Sequence, residues 1–148
     1  MVFRYSLQPL LRLRQSLERQ EEQRLFAIAA IVARLRAELE AFRQDNFEVR
    51  RRELQKDSLG ISGASLQYAA FCGAAFDRAY KKLEMQLEEA ERKRLVQLRI
   101  YQASRQKAEI LQGLRERQEA IYELELARHE QQASDEAFLL RTHLLTDE

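Results

Sequence analysis

The chain has 148 residues, a third of them charged, and its 25 Lys and Arg are balanced by 24 Asp and Glu. Four Gly, one Pro and no Trp are too few turn formers for a β-sandwich, a β-barrel or a nucleotide-binding α/β fold. The 23 Leu, 20 Arg, 19 Glu and 15 Gln are good helix formers, so the composition predicts an all-α protein of long helices that pair as a coiled coil.

A first helix is predicted over about residues 7–57. Its apolar residues alternate spacings of three and four, an average of 3.5, which is typical of a coiled-coil seam. The predicted seam positions of this helix are Leu25, Ile28, Val32, Leu35, Leu39, Phe42, Asn46 and Val49. Asn46 is the polar member, and a buried amide at such a position would fix the register by pairing with a polar partner across the seam.

A turn is predicted at about residues 58–64, where Gly60 suits a left-handed helix end and Ser62 or Ser65 suits the next N-cap. A second helix follows over about residues 65–141, because no Pro occurs after Pro9. Its predicted seam repeats the same spacing through Phe76, Tyr80, Leu83, Leu87 and Ala90. An apolar stripe continues, with skips, through Leu95, Leu98, Leu111, Leu114, Ile121 and Leu124.

The predicted architecture is one long antiparallel two-helix coiled-coil hairpin over residues 1–148, ending in a tail at 142–148. The small residues around Gly73 leave open a short third helix near the turn. The segment 138–145 carries more apolar surface than a fraying tail requires. It either becomes ordered on binding a partner or folds over Leu10 and Leu13.

Several functional classes are excluded by the same residues. Cys72 is alone, which favours a reducing compartment, and the apolar stretch 25–33 is about half of the ~20 residues that a membrane span needs. The first residues lack the apolar core of a signal peptide, so we expect a cytoplasmic protein. His129 and His143 are too far apart in sequence for a zinc motif, and no phosphate-binding glycine loop occurs. We therefore expect no enzyme activity, no catalytic residues, no metal and no cofactor. The lack of a basic face also argues against nucleic acid as a partner.

Three blocks of sequence resemble one family. They are FRYSLQPLLRLR at 3–14, AEILQGLRERQ at 108–118 and EQQASDE at 130–136, on either side of a glycine-marked turn. In this order they are similar to the FliJ family, the small coiled-coil component of the flagellar type III export apparatus. The resemblance covers essentially the whole chain.

The resemblance implies a fold, a function and partners. Members of the family form an antiparallel hairpin similar to the γ-subunit stalk of rotary ATPases and insert into the hexameric export ATPase FliI, which acts with its regulator FliH. They contact the export gate FlhA and escort chaperones, at the cytoplasmic face of the inner membrane. Two other interpretations remain: a generic scaffold built as a parallel dimer, and the equivalent stalk protein of a virulence secretion system.

The family places the gate contact near the turn of the hairpin. The candidate contact residues there are Phe47, Tyr68, Phe71, Arg50 and Arg51. Phe47 and Phe71 fall outside the simplest seam, and exposed aromatics are good anchors for a partner. The alternative for the arginine run is an ordinary solvated helix face.

Overall fold

The computed structural model describes residues 2–57, 60 and 62–146. These residues form two α-helices, α1 (Gln8–Asp57) and α2 (Gly63–Thr146), and no strand. The predicted all-α fold of two long helices is confirmed. The described helices contain no apolar stretch long enough to cross a membrane.

The helix bounds differ from the prediction at the C-terminal side. The helix α2 runs through Gly73 without a break, so no short third helix forms. It also includes residues 142–146, which were predicted as tail, because this segment contains no Gly or Pro to end the helix. Asp147 and Glu148, the last residues of the predicted tail, lie outside the described residues.

Two described residues of the turn between the helices, Gly60 and Ser62, have the conformation or the hydrogen bond expected at a helix end. Gly60 has a φ of 88°, in the left-handed region that favours glycine. The hydroxyl oxygen of Ser62 accepts a hydrogen bond from the backbone N–H of Ser65 at 3.4 Å, so Ser62 is the N-cap of α2. Ser58, Leu59 and Ile61, which belong to the predicted turn, are outside the described residues.

The chain divides into two compact units. One of them, Arg19–Gln102, is called the hairpin unit. Its core contains Val32 and Leu35 of α1 and Ala90 of α2, with Leu83 and Leu87 packed against them. Burying a Val or Leu side chain contributes about 1.5–3 kcal/mol, so this cluster is the main source of pairing energy between the two helices in the unit.

Two polar contacts show the antiparallel pairing within the hairpin unit. The guanidinium of Arg36 donates to the carboxylate of Glu91 at 2.6 Å. The side-chain amide of the buried Gln97 donates to the carboxylate of Glu21 at 2.5 Å and to its backbone carbonyl at 3.2 Å. Residues earlier in α1 therefore pair with residues later in α2, as a folded-back chain requires.

The buried polar pair of the seam does not involve Asn46, the polar residue that the sequence placed there. Asn46 is half-buried and makes no hydrogen bond to any described residue, because Ala69 and Gly73, which line the same space, have no polar side-chain atom to offer it. The buried amide that does find a polar partner is Gln97, with Glu21. A polar residue at a seam position breaks the apolar pattern, so the periodicity alone did not reveal this pair.

After Ala90, the residues of α2 that pack are not those of the predicted apolar stripe. The less exposed positions keep the alternating spacing through Arg94, Gln97 and Tyr101, whereas Leu95 is exposed. The packing phase set by Phe76, Tyr80, Leu83 and Leu87 continues unchanged, and Leu95 lies one residue beyond it. The expectation that the packed stripe continues through Leu95 is therefore wrong.

The second unit, called the terminal unit, combines Met1–Glu18 with Ala103–Glu148. Leu11 and Ala108 are buried, and the buried Tyr5 donates its hydroxyl to the backbone carbonyl of Leu111 at 3.1 Å. The ring of Phe3 lies 5.7 Å from that of Tyr122. The residues before α1 thus cover one side of α2 in this unit.

Much of α2 in the terminal unit has no covering element. The described side chains from Glu123 to Leu145 are all exposed, including Phe138. Leu10 and Leu13 are exposed as well, so the alternative in which residues 138–145 fold over them is wrong. Three residues of the predicted apolar stripe are also exposed: Leu114, Ile121 and Leu124.

Candidate functional site

An aromatic layer closes the packed part of the hairpin unit on the side of the turn. The rings of Phe42 and Phe76 stack with centroids 4.3 Å apart and an angle of 8° between their planes. Tyr80 lies 6.4 Å from Phe42 and 6.2 Å from Phe76. Stacked aromatic pairs add about 0.5–1.5 kcal/mol beyond the burial of their area, so this layer holds the two helices together at this level.

The exposed Arg43 contacts the aromatic layer through Tyr80. Its Nε donates to the hydroxyl of Tyr80 at 2.6 Å, and its Cζ lies 5.5 Å from the centre of the same ring. The hydrogen bond with Tyr80 raises the pKa of the Arg43 guanidinium, with smaller contributions from the carboxylates of Glu40 and Glu84. The side chain is thus held charged and in one place beside the tyrosine.

Between this layer and the turn, the two helices leave a groove of about 380 Å³. Its walls are formed by Phe42, Asp45, Asn46, Val49, Arg50, Glu53, Ala69, Cys72, Gly73 and Phe76. Gly73 has nothing within 4 Å of the position that a Cβ would occupy, so its missing side chain leaves open space. Val49, predicted in the seam, is exposed here because α2 offers it only small residues.

The three candidate aromatics near the turn are strongly exposed. Phe47 is 69%, Tyr68 71% and Phe71 67% exposed. Tyr68 and Phe71 are three residues apart and share one face of α2, whereas Phe47 lines a separate shallow depression of about 390 Å³ along α1. Phe47 makes no ring contact with either of them among the described residues. The structure therefore presents two aromatic surfaces, one on each helix.

Tyr68 is linked to the groove through Cys72. Cys72 lies one helical turn after Tyr68, and its interaction with the phenol raises the pKa of Tyr68. Cys72 is a free, exposed thiol that lines the groove.

The candidate arginines occupy different places. Arg50 lines the groove, whereas Arg51 is exposed and lines neither depression. Neither forms an ion pair with a described carboxylate, while their neighbour Arg52 lies 4.0 Å from Glu48. Two guanidinium groups near the turn are therefore available to an acidic partner.

The groove itself was not foreseen from the sequence. The signal for it in the sequence is the group of small residues on either side of Phe71: Ala69, Ala70, Cys72, Gly73, Ala74 and Ala75. Two further exposed apolar residues flank the same region, Leu54 on α1 and Leu66 on α2. The combination of a groove, exposed aromatics and uncompensated arginines is suited to binding a partner.

The described residues offer no arrangement for metal chemistry. No three His, Cys, Asp or Glu side chains in the described ranges come together to hold a metal ion. The surface near the turn offers apolar contact, hydrogen bonding and positive charge.

The comparison with protein families gives a match over almost the entire chain. The matching family is described as flagellar FliJ protein, and it covers residues 3–144. No curated protein and no solved structure matches. A match of this extent confirms the resemblance of the three sequence blocks. The chain belongs to the FliJ family and is a component of the flagellar export apparatus.

Proposed function

We propose that this protein inserts into the hexameric export ATPase FliI as a γ-like stalk and presents the turn region of its hairpin unit to the export gate FlhA. The observation that carries the proposal is the surface near the turn, where Phe47, Tyr68 and Phe71 are exposed and Arg50 forms no ion pair with a described carboxylate. Family membership supports the setting, because the export apparatus contains both partners.

The gate contact follows from the chemistry of that surface. Aromatic residues and Arg are enriched at the centres of interfaces, where a few of them supply most of the binding energy. In this proposal the groove near Gly73 accepts an apolar side chain of FlhA, and Arg50 on the wall of the groove pairs with a carboxylate of the same FlhA segment. The segment of FlhA that binds here thus combines apolar and acidic residues.

The ATPase contact is what the family resemblance implies, and symmetry explains how it acts. A two-helix protein inside a six-membered ring contacts only some subunits at a time. It favours the conformation of those subunits, and in this way it couples ATP turnover to export. FliH regulates the same ATPase, and escort chaperones deliver cargo to the complex. The protein acts at the cytoplasmic face of the inner membrane through these partners.

The gate contact is tested by replacing the exposed aromatics. Phe47→Ala and Phe71→Ala together should weaken binding to the purified cytoplasmic part of FlhA by at least about tenfold and reduce motility. Helicity should stay unchanged, because both side chains are exposed. The matched control is Phe26→Ala on α1, whose side chain is 67% exposed and far from the turn in sequence. Unchanged FlhA binding in the double variant, or an equal loss in the control, would refute the gate contact.

The ATPase contact has its own experiment. Purified FliI is assayed for ATP hydrolysis and hexamer formation with and without the full chain. We expect both to rise when the chain is added. No change in either, together with no co-purification of the two proteins, contradicts the stalk function while leaving the gate contact to its own test.

A further inference from the structure

A second regular stripe of side chains runs along α2 within the terminal unit. It consists of Ile110, Leu114, Arg117, Ile121, Leu124 and Arg128, and is called the outer stripe. Its spacings are four, three, four, three and four, which is the repeat of a coiled-coil seam. At 100° per residue it lies roughly 130° around the helix from Ala108 and Leu111, which pack toward the N-terminal residues.

The outer stripe has no partner within the terminal unit. Its four apolar members are all exposed, from 39% for Leu114 to 61% for Ile110. Single exposed apolar residues are normal on a protein surface, but four of them in one coiled-coil repeat form a continuous face. Such a face is typical of a helix that pairs with another helix.

Two positive charges are built into this apolar face. Arg117 and Arg128 form no ion pair with a described residue. The positions three and four residues away from Arg117 hold Gly113, Leu114, Ala120 and Ile121, so no carboxylate of the same helix can reach it along its face. The two guanidinium groups are 11 residues apart, about 16 Å along the helix, and they call for two carboxylates at the same separation on the partner.

The surface also contains a depression that fits an apolar side chain from a facing helix. A depression of about 390 Å³ is lined by Gln106, Glu109, Ile110, Gly113, Leu114 and Arg117. It exists because Gly113 has no side chain, and nothing lies within 4 Å of the position that its Cβ would take. In coiled coils, an apolar side chain of one helix inserts into such a hole of the facing helix.

We propose that the outer stripe binds an amphipathic helix of a partner protein, with apolar residues at alternating spacings of three and four and two carboxylates that pair with Arg117 and Arg128. A second copy of the stripe is a poor occupant, because in an antiparallel pair centred on residue 119 each arginine faces an apolar residue of the other copy. The docking site lies in the terminal unit and does not depend on the gate contact near the turn.

The test uses the full chain and two fluorescent peptides. Both are 24-residue helices with Leu at the alternating spacing, and they carry either Glu or Lys at the two positions that meet Arg117 and Arg128. We expect the Glu peptide to bind at least about tenfold more tightly than the Lys peptide in fluorescence anisotropy. The double variant Arg117→Glu, Arg128→Glu should reverse this preference, and Arg141→Glu, an exposed position outside the stripe, should leave it unchanged.

Apolar substitutions supply the second arm. Leu114→Ser with Ile121→Ser should abolish binding of the Glu peptide at unchanged helicity, whereas Leu126→Ser should not. Leu126 is 41% exposed, matching the 39% of Leu114, but it faces another side of α2. Equal binding of both peptides, or equal loss with Leu126→Ser, overturns the proposal. If neither peptide binds and the chain forms a dimer that the Leu114 and Ile121 substitutions dissociate, the occupant is a second copy and the proposal is wrong.

Discussion

Phe76→Ala should distinguish the packed aromatic residues near the turn, which stabilise the helix pair, from the exposed ones, which do not. Phe76 stacks on Phe42 and contacts Tyr80, and it is half-buried. Replacing a fully buried Phe by Ala costs about 3–5 kcal/mol, so a half-buried ring should cost about 2 kcal/mol. Loss of the stacking adds about 0.5–1.5 kcal/mol. The free energy of opening this end of the hairpin should therefore fall by roughly 2.5–3.5 kcal/mol.

The effect should be local, because no described packing beyond this layer replaces it. Between the layer and the turn, Asn46 and Val49 share the groove with the small residues Ala69, Cys72 and Gly73 of α2. Hydrogen exchange of the backbone amides should accelerate in residues 46–57 and 63–75, while amides around Val32 keep their protection. Mass spectrometry of exchanged peptides measures both regions in one experiment.

The control is Phe71→Ala, which removes the same ring from an exposed position five residues earlier on α2. Surface substitutions of this kind change stability by at most about 0.5 kcal/mol. If Phe71→Ala accelerates exchange as much as Phe76→Ala, or if Phe76→Ala lowers protection evenly along both helices, then the aromatic layer does not close the packed part of the hairpin.

Three further substitutions probe single contacts. Leu35→Ala should lower the free energy of unfolding by about 2–3 kcal/mol in urea titrations followed by circular dichroism, since this core side chain is buried; a change below about 0.5 kcal/mol contradicts the core assignment. Tyr5→Phe should cost about 1 kcal/mol in the same assay by removing a buried hydrogen bond, whereas Tyr122→Phe should be neutral or stabilising, because this buried hydroxyl has no hydrogen-bond partner among the described residues. The reverse order would refute both assignments. Cys72→Ala should lower the raised pKa of Tyr68 toward the ordinary tyrosine value, measured by NMR titration of the labelled ring, and an unchanged midpoint would show that the thiol is not its cause.

The seam of α1 was readable from the sequence because its apolar residues recur without interruption. Val32 and Leu35 fall in the middle of that repeat, and both lie in the core. The same argument failed on α2 after Ala90, where the packed positions are Arg94, Gln97 and Tyr101. Long or polar side chains can occupy a seam position when their polar ends reach a partner or solvent. A search for periodic apolar residues does not detect such positions.

The candidate surface near the turn was predictable in part. The exposure of Phe47 and Phe71 follows from their positions outside the seam. The groove beside Gly73 depends on how far the two helices stand apart, and sequence spacing carries no information about that distance. The placement of Arg50 on its wall depends on the same geometry.

Two helices of one chain pack against each other in opposite directions in the hairpin unit. Spin labels at Arg36→Cys and Glu91→Cys, in a Cys72→Ser background, test this arrangement directly, because the native side chains meet at 2.6 Å and are both exposed. Double electron–electron resonance should give one short distance that persists when the labelled chain is diluted with an excess of unlabelled chain. A short distance that disappears on dilution would mean that the contact joins separate copies, and the folded-back hairpin would be wrong.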